Sequence, residues 1–590
     1  METPLNLVNF LNEVVLKTAQ TLNTFGEAFS PEVRIADPRF GDYQANGVLP
    51  YAKKNRLNPR ELAQALIDAL KENEALKQSF SIEIAGPGFI NFKMTNAFIL
   101  AWITHFGDSK ALAAKSQSLT GKNVVIDYSS PNTAKQMHVG HLRSLVIGEA
   151  IQRMLRFCGA TMIRDNHLGD WGTQFGILLM QIKDSGYDLT AEHEDALEDL
   201  ERLYKEGSKR FKEEDGAQDK AREELLKLQQ GDPENFGLWQ KITEVSYGAF
   251  EEIYDLFNVT FDHARGESFY RNKLDRVYEE LKADSIAKQS QGAWVVFHPE
   301  HPRFKETPFI IRKADGASNY ASTDLATVLS HVEDPEIQAN EIIYVTDGRQ
   351  QDHFAQLFLT AKKWFQARSY PSPELRHVWF GTILGEDGKA IKTRSGDPIR
   401  LKALVSEAIQ RAFDLISAKN PELPEDERNE IARIVGIGAL RYADLSQNRT
   451  SDYVFSWDKM ISFEGNTAPY LQYAVARIHS IFRKVEESPE SLISIKPESL
   501  GELGDAGRDL ARKLIEFPTA LNQAIEELKP HFLCTYLYEL AGTFSSFYNA
   551  DKVIVDDPET RKRRLTLCAR TLSTLKTGLD LLGIETLEAM

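Results

Sequence analysis

Cysteine is scarce in this chain: Cys158, Cys534 and Cys568 are the only three in 590 residues, and no two form a CxxC pair. That count argues against a disulfide framework and a structural zinc site, and it suits a reducing compartment. No apolar run approaches the ~18 residues of a membrane span. Met1-Glu2-Thr3-Pro4 does not open a basic segment leading into an apolar core, so no signal peptide and no membrane partner are expected, and the location expected is cytoplasmic. Positive charge is not in excess either, with 70 Lys+Arg against 86 Asp+Glu and a formal charge of −16. A protein coated in basic surface is thereby excluded and DNA is not an expected partner. RNA stays open, because affinity follows local patches rather than the sum. No internal repeat is evident, and no Walker-type lysine loop occurs.

What is present is an ordinary globular composition, 42% hydrophobic and 26% charged, in a chain long enough for roughly four domain-sized units. Residues 1–110 read as an α+β domain. An amphipathic pattern (Leu5, Val8, Leu11, Val14, Val15) opens it, a helix follows near Pro59–Lys71, and short strands flank the turn Gly86-Pro87-Gly88. Residues 111–122 read as a linker. Residues 123–404 alternate strand and helix signals, the pattern of a parallel sheet with crossover helices. A charged helical insertion spans about 185–290, read as a solvated face rather than as catalytic. From 405 to 590 strand signals nearly vanish, which predicts an all-α domain.

The most informative string is Pro131-Asn132-Thr133-Ala134-Lys135-Gln136-Met137-His138-Val139-Gly140-His141. Val124-Val125-Ile126-Asp127-Tyr128 before it reads as a buried strand; Leu142, Leu145, Val146, Ala150, Ile151, Met154 and Leu155 after it recur at helical spacing. The string therefore occupies a strand-to-helix turn, where free N–H groups and the helix dipole favour phosphate. Gly140 admits a ligand close to the backbone, and His138 and His141 share a face. Taken alone, His-x-x-His also fits an incidental pair. A metal site would need further ligands, which are not nearby.

The full string resembles the HIGH signature of class I aminoacyl-tRNA synthetases, and with Ser129-Ser130 before it, that of the arginyl-tRNA synthetases. FGDYQANG, AGPGFIN, YASTD, GRQQDHF and NTAPYLQYA follow in the family's order over essentially the whole chain. The resemblance implies a Rossmann-type catalytic domain between an N-terminal α+β domain that recognises the tRNA D-loop and a C-terminal all-α anticodon-binding domain. It implies an arginine–tRNA ligase acting on ATP, L-arginine and tRNA(Arg). Mg²⁺ would accompany ATP, no structural metal or editing domain is expected, and the chain would be a monomer that needs bound tRNA before it activates the amino acid.

By the same resemblance, Lys135, His138, Gly140 and His141 act on ATP. Leu384–Gly396 stands where most class I enzymes write KMSKS; the pattern is degenerate here, Lys135 takes the compensating place, and Lys389, Lys392 and Arg394 are pyrophosphate candidates. Asp127, Ser130, Asn132, Tyr320, Asp324 and Gln350 match arginine-pocket positions. Without the resemblance, Asp324 reads better as a helix cap and Tyr320 as a half-buried core residue. His167 and Asp170 match a further family stretch and carry no assigned role. Phe89 and Asn91 match D-loop readers, by stacking and hydrogen bonding. Tyr470, Tyr473 and, less directly, Tyr548 match residues that meet the anticodon loop, where bases stack on aromatics. The run Arg561–Arg564 fits either phosphate contacts or a solvated helix face. The rival readings are another class I synthetase, a nucleotidyltransferase with an HxGH phosphate site, and a catalytically silent tRNA-binding protein.

Overall fold

Residues 3–189, 195–314, 316, 318–392 and 398–590 are described by the computed structural model, and their contacts fall into two units. One comprises Met1–Ser118, Phe463–Leu581 and Glu585–Met590; the other comprises Leu119–Ser462 and Leu582–Ile584. No helix among the described residues is long and apolar enough to cross a membrane.

The first unit contains an antiparallel sheet of β1 (Val33–Ile35), β2 (Tyr43–Ala45), β3 (Phe80–Ala85) and β4 (Phe89–Met94), in the order β1-β2-β4-β3. Gly86 and Gly88, at φ 53° and 145°, close the β3–β4 hairpin in conformations that residues with a Cβ rarely adopt. Asn58 caps the helix Pro59–Lys71, which buries Leu62, Ala63, Leu66, Ile67 and Leu70. The helices after Phe463 share this unit. Buried Asp42 accepts from the Met94 N–H at 2.6 Å and pairs with Arg508 and Arg512. Arg570 donates to the Gly107 carbonyl at 2.7 Å and to the Leu492 carbonyl at 3.0 Å.

These groupings differ from boundaries read at 110, 122 and 404. Ser109–Lys115 is a helix capped by Asp108 with Leu112 buried, where a linker was expected. The helices Leu401–Lys419 and Glu425–Leu445 belong to the second unit, with Leu119–Ser462. The physical reason is that periodicity marks an apolar stripe without naming the surface that covers it.

The second unit is built on β5 (Asn123–Asp127) and β6 (Thr161–Asp165). A small antiparallel sheet of β7 (Ala287–Ser290), β8 (Ala293–Val296) and β9 (Phe309–Arg312) follows, then β10 (Glu341–Asp347) and β11 (Glu374–Phe380). The principal sheet is parallel, ordered β11-β10-β5-β6. Helix Val139–Phe157 connects β5 to β6 on one side, and helix Gln351–Arg368 connects β10 to β11 on the other. Right-handed crossovers in opposite directions put those helices on opposite faces. Strand order consequently reverses between β5 and β10, and the crevice at their carboxyl ends is where such sheets bind ligands. Alternate residues serve the two faces: Val125, Ile163, Ile342 and Tyr344 join one core with Leu325, Leu329, Leu357 and Trp364. Short β12 (Ile383–Leu384) and β13 (Tyr453–Val454) pair in parallel beyond this sheet.

Helix Val139–Phe157 is buried along almost its whole surface, because the two helices after 400 cover the side that faces away from the sheet. Arg143 there pairs with Asp444 at 3.0 Å and donates to the Gly381 carbonyl at 2.7 Å, both charges being fully enclosed. Burial raises the Asp444 carboxyl, and Arg143 opposes that.

Candidate functional site

The chain leaves β5 through backbone that few residues tolerate: Ser129, Ser130 and Ala134 have φ of 73°, 46° and 59°. Such strain persists where surrounding bonds over-determine it. Here the Ser129 N–H donates to Ser144 Oγ at 2.9 Å, the Ser130 N–H to Asn166 Oδ1 at 3.0 Å, and the Ala134 N–H to Ser246 Oγ at 2.9 Å. Asn132 is turned outward beside Gly169. A Cβ on that glycine would lie 2.0 Å from Asn132 Oδ1, so Gly169 belongs to the site although the sequence attached no role to it.

His138 is the N-cap of the following helix. Its Nδ1 accepts from the Gly140 N–H at 3.0 Å, while His141 Nδ1 accepts from the His138 N–H at 3.0 Å. The rings lie 4.1 Å apart. A nitrogen that accepts carries no proton, so both neutral rings hold theirs on Nε2, and no described residue takes either Nε2. Burial lowers both imidazoles, His141 to about 3, with Arg349 and Lys135 adding to the effect at His138. Two uncharged N–H donors thus stand at a helix N-terminus, which is a receptor for anionic oxygen. Gly140 is exposed, and a Cβ there would meet the His138 ring at 2.8 Å.

A second, carboxylate-rich cluster gathers at the carboxyl ends of β5 and β6. Ser130 Oγ donates to Asp127 Oδ1 at 2.7 Å. Burial raises Asp127 to about 6; Asp165 across the strand pair adds to this, while His167 and Ser130 oppose it. Glu267, which the sequence reading missed, is raised to about 7 by burial, with Asp324 and Asp170 adding to the shift against His167. His167 itself is raised against its burial, by Asp127, Asp324, Asp165 and Glu267. Behind them Asp165 pairs with fully buried His331 at 3.0 Å. Asp324 sits one turn into the helix Tyr320–Glu333 and bonds His353 Nε2 at 2.5 Å through Oδ2. Asn319 caps that helix, so Asp324 is free of the capping role that the residue pattern also allowed. Tyr320 is 71% exposed at the cluster's rim and is not core. A cluster of carboxyls of this kind can accept a cation.

Gln350 is exposed at the carboxyl end of β10, on the crevice side, without a side-chain partner among the described residues. Lys389 and Lys392 are exposed on the loop after β12. Arg394 and the rest of 393–397, like Asp315 and Ala317, lie outside the described residues. The segment after that loop is tied to the histidines: the Val139 N–H donates to the Ile399 carbonyl and the Leu401 N–H to the Met137 carbonyl, both at 2.9 Å.

The remaining candidates belong to the other unit. Phe89 and Asn91 alternate on β4 and share a face; Asn91 Oδ1 accepts from Gln44 at 2.7 Å. Tyr470 and Tyr473 open the helix Ala468–Val485, Tyr470 against Tyr538 at 5.6 Å. Arg477, two turns on from Tyr470, covers the Tyr548 ring at 4.4 Å. Sequence reading found neither Tyr538 nor Arg477, since an aromatic or a cation on a helix has no signal of its own. The Arg561–Arg564 run divides: Arg563 donates to the Leu500 carbonyl and Arg564 to the Lys552 carbonyl, structural bonds both.

Comparison with known proteins matches this chain to three family descriptions. They are the arginyl-tRNA synthetase N-terminal domain over residues 9–94, the class I (R) tRNA synthetase catalytic domain over 107–457, and the DALR anticodon-binding domain over 471–590. An arginine–tRNA ligase of Pseudoalteromonas atlantica is 44% identical over 95% of this chain and 96% of its own length. One from Marinomonas sp. is 42% identical over 99% and 100%. Among solved structures, arginyl-tRNA synthetase of Plasmodium falciparum superposes with a TM-score of 0.84 at 28% identity, covering 100% of both chains. That of Thermus thermophilus gives 0.82 at 26%, covering 99% of this chain and 100% of its own. With all three family domains in sequence on one chain and relatives alike over nearly its full length, the chain belongs to the arginyl-tRNA synthetases of class I.

Proposed function

We infer that the chain, an arginine–tRNA ligase, activates arginine in the crevice between β5 and β10. The arginine carboxylate oxygen attacks the α-phosphorus of ATP, the bond to the β-phosphate oxygen breaks, and pyrophosphate leaves with its electron pair. A ribose hydroxyl oxygen from the 3′ end of tRNA(Arg) then attacks the adenylate carbonyl carbon, the bond from that carbon to the phosphate oxygen breaks, and AMP departs, its phosphate or water taking the hydroxyl proton. No protein nucleophile is required, so the chain contributes alignment and charge stabilisation. His138 and His141 donate their Nε2–H groups to phosphate oxygens, Gly140 lets the nucleotide approach the helix start, and Lys135 adds a positive charge. Lys389, Lys392 and Arg394 serve the departing pyrophosphate. Mg²⁺ would accompany ATP and would offset part of the triphosphate charge.

Asp324 and Asp127 accept the guanidinium, whose planar fork of donors matches carboxylates. Ser130 keeps Asp127 oriented, Tyr320 lines the rim, and Asn132 with Gln350 meets the α-amino and carboxylate end. Lysine lacks the fork and leaves acceptors unpaired, which supplies discrimination without editing. Phe89 and Asn91 meet a D-loop base, and Tyr470, Tyr473 and Tyr548 meet the anticodon loop.

The observation that carries this reading is two neutral imidazole donors, fixed by reciprocal capping, together with a buried acidic cluster. ATP–pyrophosphate exchange in the presence of tRNA(Arg), run across the amino acids, tests it. Exchange with arginine alone is expected; equal exchange with another amino acid would overturn it.

Two further outcomes follow from the geometry. Gly169→Ala drives a Cβ into Asn132 Oδ1, and an ångström of displacement costs up to about 10²-fold in rate. The kcat/KM for arginine should fall by about that factor while the melting temperature stays near the parent's. The KM for arginine should also fall as pH rises through 6 to 7. The carboxyls at about 6 and about 7, Asp127 and Glu267, hold protons in the empty site below those values. A guanidinium binds their ionised forms, so binding releases protons and is favoured at higher pH. A KM flat from pH 5.5 to 8 would refute the coupling.

A further inference from the structure

The charged insertion reads as a solvated face, yet one side of its helix Ala196–Glu213 meets the Lys135–His138 segment. Near its start, Glu198 holds Arg400 by two bonds of 2.8 and 3.0 Å, and Arg400 pairs by backbone with His138. One turn on, Glu201 is close enough to act on the His138 charge. A further turn on, the Tyr204 ring lies under the Lys135 ammonium, with Nζ 4.8 Å from the ring centroid.

Lys135 has no carboxylate within ion-pair distance among the described residues. A lysine carries a flexible four-carbon stem, so its ammonium is poorly placed unless something holds it. Here the only such hold among the described contacts is the π face of Tyr204. The ring is itself supported: it packs, half-buried, against the core that includes Phe175, Leu200, Leu203 and Ala134, the last being the residue before Lys135. An aromatic face attracts a cation without neutralising it. A carboxylate in the same place would cancel the charge that phosphate needs.

We propose that Tyr204 is a positioning residue for adenylate formation, which holds the Lys135 ammonium at the triphosphate while leaving its charge uncompensated. This rests on the reading of Lys135 as a phosphate contact. The insertion is thereby part of the reaction's machinery, though it touches no reacting atom.

The test is a double-mutant cycle on the full-length protein, read by tRNA-dependent ATP–pyrophosphate exchange and by thermal melting. Tyr204→Leu should lower kcat by about 3- to 10-fold, the size of a partly desolvated cation–π contact, with the KM for arginine within twofold of the parent. Tyr204→Phe keeps the ring face and should restore kcat to within twofold. In a Lys135→Ala background, Tyr204→Leu should cost nothing more, because coupled residues are not additive. If Lys135→Ala keeps the parent rate, the lysine's phosphate role falls and the proposal falls with it. If Lys135→Ala is slow but Tyr204→Leu is not, or the two losses multiply, the lysine's role stands and the positioning is overturned. A Tyr204→Phe variant as slow as Tyr204→Leu, or loss of kcat only in step with melting temperature, also overturns it.

Discussion

Asp324→Asn is expected to lower kcat/KM for arginine by about 10²–10³-fold, mostly through KM, while the KM for ATP stays within about threefold. The substitution preserves shape and removes one negative charge. Deleting one partner of an enclosed ion pair costs about 3–4 kcal/mol, and each 1.4 kcal/mol is about tenfold. The geometry makes Asp324 the residue to change. His353 takes Oδ2, which fixes the carboxylate plane and leaves Oδ1 to accept a guanidinium N–H. Asp127 is already engaged by Ser130, so it does not take over the contact that Asp324 loses. Calorimetric arginine binding together with steady-state exchange kinetics checks this. An unchanged KM for arginine would place the guanidinium elsewhere.

His141→Asn is expected to slow adenylate formation by about 10²–10³-fold, the usual cost of one preorganised donor at a developing oxyanion. Asparagine is the informative choice, because its Oδ1 falls near the position of Nδ1. It continues to accept from the His138 N–H, so the helix cap survives and only the Nε2–H is deleted. His141→Gln does the reverse, supplying a donor further out and losing the cap acceptor. Single-turnover adenylate formation, filter-binding of tRNA(Arg) and thermal melting together separate the effects. The asparagine variant should bind tRNA and melt like the parent. Equal losses in adenylate formation and tRNA binding would refute the assigned role.

How much of this was legible beforehand depends on sequence distance. Asp127, Ser130, Asn132, His138 and His141 lie on one strand, one turn and one helix start, and local rules of strand burial, capping and helical periodicity bring them together. The histidines' shared face followed from spacing; that each caps the other, which dictates tautomer and charge, needed the φ/ψ values of the turn. The longer contacts left no trace. Asp165 and His331 stand 166 residues apart, and Arg400 and Glu198 stand 202 apart. Glu267 lies in a helix of only four residues, too short to show a period. Tyr204 belongs to a strongly amphipathic segment whose composition points to solvent.

The contacts group the chain differently from the boundaries read at 110, 122 and 404 for a related reason. Leu401–Lys419 and Glu425–Leu445 read as the start of a helical domain, but the apolar surface they cover is that of helix Val139–Phe157, secured by the enclosed Arg143–Asp444 pair. The sequence by itself determined the strand–turn–helix junction that carries His138 and His141, the parallel sheet and the family, because each is written in neighbouring residues and in motif order. Only the tertiary structure decided which carboxylates face one another, which imidazole stands behind each, and that the insertion meets Lys135. Those are pairings across long chain separations, selected by the packing of whole elements and by the cost of enclosing a charge without a partner.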